Sequence, residues 1–317
     1  MTLSIANHHA SLPIAYRLYL PKVWADDAAR RNKAHVPEAI RFKTKPQIAL
    51  AQIRAALAAG VAPGVVLMDA SYGTNSTLRA GIGALALTYV AAILPTVKVR
   101  AVADPDERVS AKELALGLPK HTWRTITWRD GSADPLRSRF ARVRVRTAPI
   151  RGAAARPEET LLIEWPHGEA APTKYWLSNV AKTISFRELV DIAKMRWRIE
   201  RDYQDLKQEI GLGHYEGRGW RGFHHHGTLC IAAYGFLISE RETIPPSAPR
   251  SAGRFAKPAI SGGYRPRGAA APAPTARPQL NRDRPLRNRG RDRPDAAALP
   301  MLRPQISTKH ATKFMTQ

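Results

Sequence analysis

Residues 64–73 read GVVLMDASYG: a short unbroken apolar run, an aspartate, then small and polar residues at which the chain must turn. A run of this length without polar alternation suits a strand covered on both faces, as parallel strands are. Upstream, KPQIALAQIRAALAAG at 45–60 spaces its apolar residues at helical intervals and stops at Gly60. Downstream, NSTLRAGIGALAL at 75–87 predicts a second helix and TYVAAILP at 88–95 a second buried strand. This alternation predicts an α/β layer with an at least partly parallel sheet. Because open α/β sheets bind ligands beyond the carboxyl ends of their strands, Asp69 has two readings: a metal-facing carboxylate, or the N-cap of the helix that follows.

At the start of the chain, TLSIA at 2–6 and PIAYRLYL at 13–20 predict two strands joined through His8, His9 and Ser11. From about Ala101 to Asn179 the character changes, and RFARVRVRT, TLLIEW and TKYWLS predict a β-rich segment. Arg142, Arg144 and Arg146 alternate there with Val143 and Val145, which puts three positive charges on one strand face, either solvated or turned to DNA. Ser185 and Glu188 have the spacing of a capping box. The apolar stripe Phe186, Leu189, Ile192, Ile199, Tyr203, Leu206 and Ile210 predicts one helix ending at Gly211, with another from about His225 to Glu240. Beyond Glu242, Pro, Gly, Ala, Arg and Ser dominate, including the arginine run from Arg282 to Arg293, and a disordered basic tail is expected. The expected divisions are 1–100, 101–180, 181–242 and 243–317.

The chain has 317 residues, 50 Lys and Arg against 26 Asp and Glu, and a formal charge of +24, which makes a polyanion the default partner. The one cysteine, Cys230, excludes an internal disulfide framework and fits a reducing cytoplasm or nucleoid. The start lacks the pattern of a secretory signal, and residues 81–97, interrupted by Thr88 and Pro95, read as core, so no membrane association is expected. The three histidines of FHHHGT, with no cysteine beside them, point in different directions on a helix and do not read as a zinc site.

Glu200 stands in MRWRIERDYQDLKQEIGLGHYEGRGW, residues 195–220. At about 100° per residue, Arg196, Tyr203 and Lys207 fall within about 60° of it on one side, bordering the apolar stripe. One reading is an i,i+4 ion pair of Arg196 with Glu200, worth a few tenths of a kcal/mol. The other gathers Glu200 with Asp69 as oxygen ligands for Mg²⁺ (or Mn²⁺), with Arg196 and Lys207 on phosphate oxygens beside the scissile bond.

These residues resemble the DDE transposases of bacterial insertion sequences, of the branch with a β-rich insertion before the last carboxylate, over roughly residues 1–250. The family signature Tyr, two residues, Arg, three residues, Glu, six residues, Lys is met by Arg196, Glu200 and Lys207, with Ala193 at the tyrosine position. VLMDASYG resembles the strand bearing the second catalytic aspartate, here Asp69, with Ser71 where glycine is frequent. The resemblance implies an RNase H-like mixed sheet, N-terminally truncated, because the family's first catalytic aspartate precedes the strand that Thr2–Ala6 resembles. Asp26 and Asp27 lie in a polar, surface-like segment and do not read as its replacement.

The implied function is DNA transposition by metal-dependent strand cleavage and transfer, incomplete in this chain alone. Asp69 and Glu200 would be metal ligands and catalytic residues. Arg196, Lys207, Tyr203, Arg218, Trp220 and Arg221 would face DNA, and the partners are duplex transposon ends, target DNA and other copies or an intact transposase. The alternative is a non-catalytic DNA-binding fragment that competes with intact transposase. A generic RNA-binding protein is disfavoured by the lack of an aromatic stacking motif.

Overall fold

The computed structural model describes residues 1–7, 9–129, 135–147, 156–243 and 313–316, all within one compact unit. His8 and the arginine run from Arg282 to Arg293 lie outside them.

The strands β1 (Thr2–Ala6) and β2 (Ser11–Tyr16) form an antiparallel pair. The short helices α1 (Lys22–Ala25) and α2 (Ala28–Lys33) lead to α3 (Lys45–Ala58). Thr44 and Gln47 close a capping box on α3, whose first turn contains Pro46, so its orphan N–H groups are met locally. Next come β3 (Val65–Met68), α4 (Ala70–Gly73), α5 (Ser76–Gly83) and β4 (Tyr89–Ile93), with β3 and β4 parallel. A Cβ at Gly73 would run into the Ala92 carbonyl, so α4 packs this closely on β4 only with glycine there.

The β-rich segment supplies β5 (Lys98–Ala101), β6 (Asp104–Ser110), α6 (Ala111–Gly117), β7 (Arg124–Arg129), β8 (Leu136–Thr147), β9 (Glu159–Pro166) and β10 (Lys174–Ser178). Because β10 pairs antiparallel with β4, the first strands and this segment form one continuous mixed sheet. Its order is β2-β1-β11-β3-β4-β10-β9-β8-β5-β6, with β7 on β8.

Here β11 is Lys313–Thr316, a strand within the segment 243–317 for which the sequence predicts a disordered basic tail. It lies between β1 and β3, antiparallel to the first (Ser4 opposite Met315) and parallel to the second (Leu67 opposite Met315). The two carry unpaired backbone groups on their facing edges unless a strand lies between them, and β11 supplies those partners.

Helices cover both faces. On one, Val66 and Met68 pack with Leu3, Ile53, Leu78 and Ile82 beneath α3, α4 and α5. On the other, Leu67, Ala6 and Val90 pack beneath α7 (Phe186–Lys194) and α8 (Trp197–Gln208), through Leu189, Val190 and Ile199. Where the apolar stripe predicts one helix, the structure has two. Around Met195 and Arg196 the backbone bonds run from residue i to i−3, as in Arg198 N–H to Met195 O, which tightens the turn between α7 and α8. One tight turn leaves the apolar spacing unchanged, so periodicity does not mark it. The last helix, α9 (Trp220–Thr243), packs on β2 and α8, with Gly227 against the Tyr16 ring, and is longer than predicted at both ends.

Candidate functional site

Asp69 ends β3 at the same alternation as Val65 and Leu67, both of which contribute to the core beneath α7 and α8. Its Oδ1 accepts from Ser71 N–H at 2.8 Å, Ser71 Oγ at 2.7 Å and Tyr72 N–H at 3.1 Å, so it caps α4. Ser71 contributes two of those donors. Asp69 Oδ2 accepts no hydrogen bond among the described residues.

Glu200 lies in the first turn of α8, its side chain 56% exposed, and accepts through Oε1 from Arg196 at 2.5 Å. Arg196 occupies the N-cap position of α8, so the pair spans the junction with α7. Tyr203, one turn on, donates to Thr2 Oγ1 at 2.6 Å and ties α8 to β1. The Lys207 ammonium stands 5.6 Å from the Tyr203 ring centre. The electrostatics connect this helix with the end of β3. Buried Tyr72, beside Asp69, has its hydroxyl pushed up to about 12 by desolvation first, then by the charges of Asp69 and Tyr203.

Both carboxylates suit a hard divalent ion in kind. Among the described residues, however, no three Asp, Glu, His or Cys side chains gather into a metal-binding group. At the sheet position beside β3, β11 brings Lys313, Phe314, Met315 and Thr316, none of them acidic. The two carboxylates do not make the two-ion clamp that an in-line displacement uses.

The other expected positions have local partners. Trp220 begins α9, its N–H bonded to Ala34 O at 2.8 Å and its ring 4.3 Å from that of His224, while Arg218 and Arg221 are exposed. Arg144 and Arg146 reach Glu158 at 3.3 and 2.8 Å, and Lys182 joins the same carboxylate at 3.1 Å. Hydrogen bonding from Lys182, then Arg144, holds Glu158 below the usual carboxylate range. Arg142 donates to Ile184 O and lies over the Phe186 ring. His224 and His226 bond to Trp220 O and Gly211 O, and Asp27 caps α2.

Sequence reasoning missed two buried ion pairs that hold these elements. Arg79 bonds Glu159, which also accepts from Tyr89 and Thr147. Lys194, at the end of α7, bonds Glu164 amid the rings of Trp128, Phe140 and Trp176. Desolvation lowers the Lys194 pKa, although its carboxylate partner opposes this. Arg79 had a visible signal, since it occupies a core-facing position among the apolar residues of NSTLRAGIG. Glu164 had none.

Residues 1–135 match the family model of the DDE superfamily endonucleases. The match supports a DDE transposase-like family and nuclease chemistry on DNA, and the mixed α/β sheet is consistent with an RNase H-like DDE fold. It contains Asp69 and ends before Arg196, Glu200 and Lys207. No curated protein matches the chain. Among the described residues no helix is long and apolar enough to cross a membrane.

Proposed function

We propose that this chain is an insertion-sequence transposase relative that holds duplex transposon ends at the carboxyl end of β3, and that alone it binds DNA without cutting it. The family match and the +24 charge support the DNA partner. The observation that carries the second half is the composition of β11, which lies beside the strand of Asp69 and brings no carboxylate. In this reading Asp69 and Glu200 are the carboxylates offered to Mg²⁺ or Mn²⁺, too few to complete a cleavage site. Arg196 and Lys207 hold phosphate oxygens, Tyr203 positions Lys207, and Arg218, Trp220 and Arg221 lie along the duplex. The protein would act on the nucleoid, alone or mixed with an intact transposase.

A second reading, that the chain solely competes with intact transposase for ends, is favoured by Asp69, whose Oδ1 is fully engaged as a helix cap. The test incubates the full chain with labelled duplex carrying the element's ends, with Mg²⁺, Mn²⁺ or chelator, beside Glu200→Ala. Salt-sensitive binding without nicking is expected. Metal-dependent nicking that Glu200→Ala abolishes would overturn the claim of incompleteness. Adding the chain to an active transposase then separates the two readings: a competitor lowers its cleavage in proportion to ends occupied, whereas a working subunit does not.

A further inference from the structure

Successive side chains of a strand alternate between its two faces, so Arg142, Arg144 and Arg146 of β8 share one face, the side on which Arg142 lies over the Phe186 ring of α7. On β5, Arg100 is paired directly opposite Arg146 and is exposed, which sets a fourth guanidinium beside them. Like charges directly opposite on neighbouring strands repel. Glu158, at the approach to β9, answers that repulsion with a single carboxylate. Its Oε1 lies 2.8 Å from Arg146, and its Oε2 lies 3.3 Å from Arg144 and 3.1 Å from Lys182. A further bond, from Arg144 to Thr160 Oγ1, fixes that guanidinium on the strand. Three cations against one carboxylate leave a surplus of positive charge, and all four side chains still reach solvent. Guanidinium forks and an ammonium converging on carboxylate oxygens are the same donors that hold a phosphate diester.

We propose that Glu158 is an internal mask: it stands in for a backbone phosphate on the face of Arg100, Arg144, Arg146 and Lys182, and duplex DNA engages that face only by displacing it. The proposal rests on the reading that the chain holds duplex DNA, and adds to it a brake on how tightly. A carboxylate tethered beside the strand competes as an intramolecular ligand, at an effective concentration of roughly millimolar or more. Free nucleotides and scattered phosphates lose that competition. A duplex already held at another point on the chain presents its phosphates at a comparable local concentration and can displace the carboxylate. Such a mask limits the indiscriminate binding that a charge of +24 otherwise invites.

The test measures binding of the full chain to a labelled duplex at several salt concentrations, beside Glu158→Gln and Glu107→Gln, the latter removing the same charge from the exposed part of β6. Glu158→Gln is expected to bind about tenfold more tightly near 0.1 M salt, with a log–log salt slope steeper by about one ion, while Glu107→Gln stays close to the native chain. Lys182→Gln is expected to lose more affinity in the Glu158→Gln background than in the native one. Circular dichroism checks that each variant is folded, and Glu158→Ser repeats the test with a shorter neutral side chain. A parallel titration with inorganic tripolyphosphate reads the mask without DNA, and Glu158→Gln is expected to bind it more tightly as well. If no chain binds duplex while tripolyphosphate still distinguishes Glu158→Gln, the transposase reading falls and the mask stands. Where duplex is bound, equal affinity in Glu158→Gln and Glu107→Gln, or equal losses from Lys182→Gln in both backgrounds, would overturn the proposal. So would a Glu158→Gln chain that gains affinity for neither ligand.

Discussion

Arg79 Nε lies 3.0 Å from Glu159 Oε1, and only 4% and 3% of the two side chains reach solvent. Arg79 also donates to Gly73 O at the end of α4, while Glu159 accepts from Tyr89 Oη at 2.6 Å and Thr147 Oγ1 at 3.1 Å. One carboxylate thereby joins α5, β4, β8 and β9, and through Gly73 it braces the turn that begins at Asp69. Removing one partner strands the other charge, so Arg79→Ala or Glu159→Ala is expected to cost roughly 3–5 kcal/mol. The double substitution is expected to cost clearly less than the sum, and urea unfolding of the three variants measures it.

Asp69 has a structural role separable from any chemistry. Asp69→Ala removes the acceptor for three donors and is expected to cost about 1 kcal/mol, whereas Asp69→Asn keeps an oxygen there and costs a few tenths. If DNA cleavage is ever reconstituted with a partner, Asn should still abolish it, since an amide is a poor ligand for a hard cation. Equal destabilisation by Ala and Asn in thermal unfolding would show that the cap contributes nothing.

Asp202 predicts a pH dependence of unusual sign for a carboxylate. Its pKa is pushed up to about 6, by desolvation first and then by Asp205, against the Tyr234 hydrogen bond and the charges of Arg198 and Arg241. Between about pH 4 and 6 the folded state therefore keeps a proton that the unfolded state has released. Stability from this group is fully present below that window and is lost as the pH rises through it. Asp202→Asn should flatten the fall in urea midpoint over the same range, and a midpoint that falls equally in the variant would remove Asp202 as its cause.

Because β11 is paired on both sides, a proline within it removes a ladder hydrogen bond whichever way the N–H faces. Met315→Pro is expected to speed amide exchange in Leu3–Ala6 and Val65–Met68, with the β8 to β10 amides little changed. Exchange that stays slow in β1 and β3 would argue against their pairing with Lys313–Thr316.

What the sequence disclosed follows from how local each signal is. The run from Val65 to Met68, the helix before it and the strand after it were legible because burial on two faces and helical spacing are written in consecutive residues. The turn between α7 and α8 was not, since Met195 and Arg196 keep the apolar stripe in phase. KFMT carries no periodicity, and its place beside Ser4 and Leu67 rests on pairing across most of the chain. At the site, the spacing of Arg196, Glu200 and Lys207 was legible, whereas Glu158, which occupies Arg144, Arg146 and Lys182 together, lies in a segment with no pattern.

The position of β11 also bears on synthesis. Its neighbours are made at residues 2–6 and 65–68, while the strand between them waits for residue 313. At about 5–20 residues per second the ribosome needs roughly 12–50 s to cover that interval. Throughout it the facing edges of β1 and β3 are open templates for any extended segment nearby. Nascent chains crowded on one message are the nearest source of such segments, so the protein's yield in the cell should depend on chaperones that shield those edges until the last strand arrives.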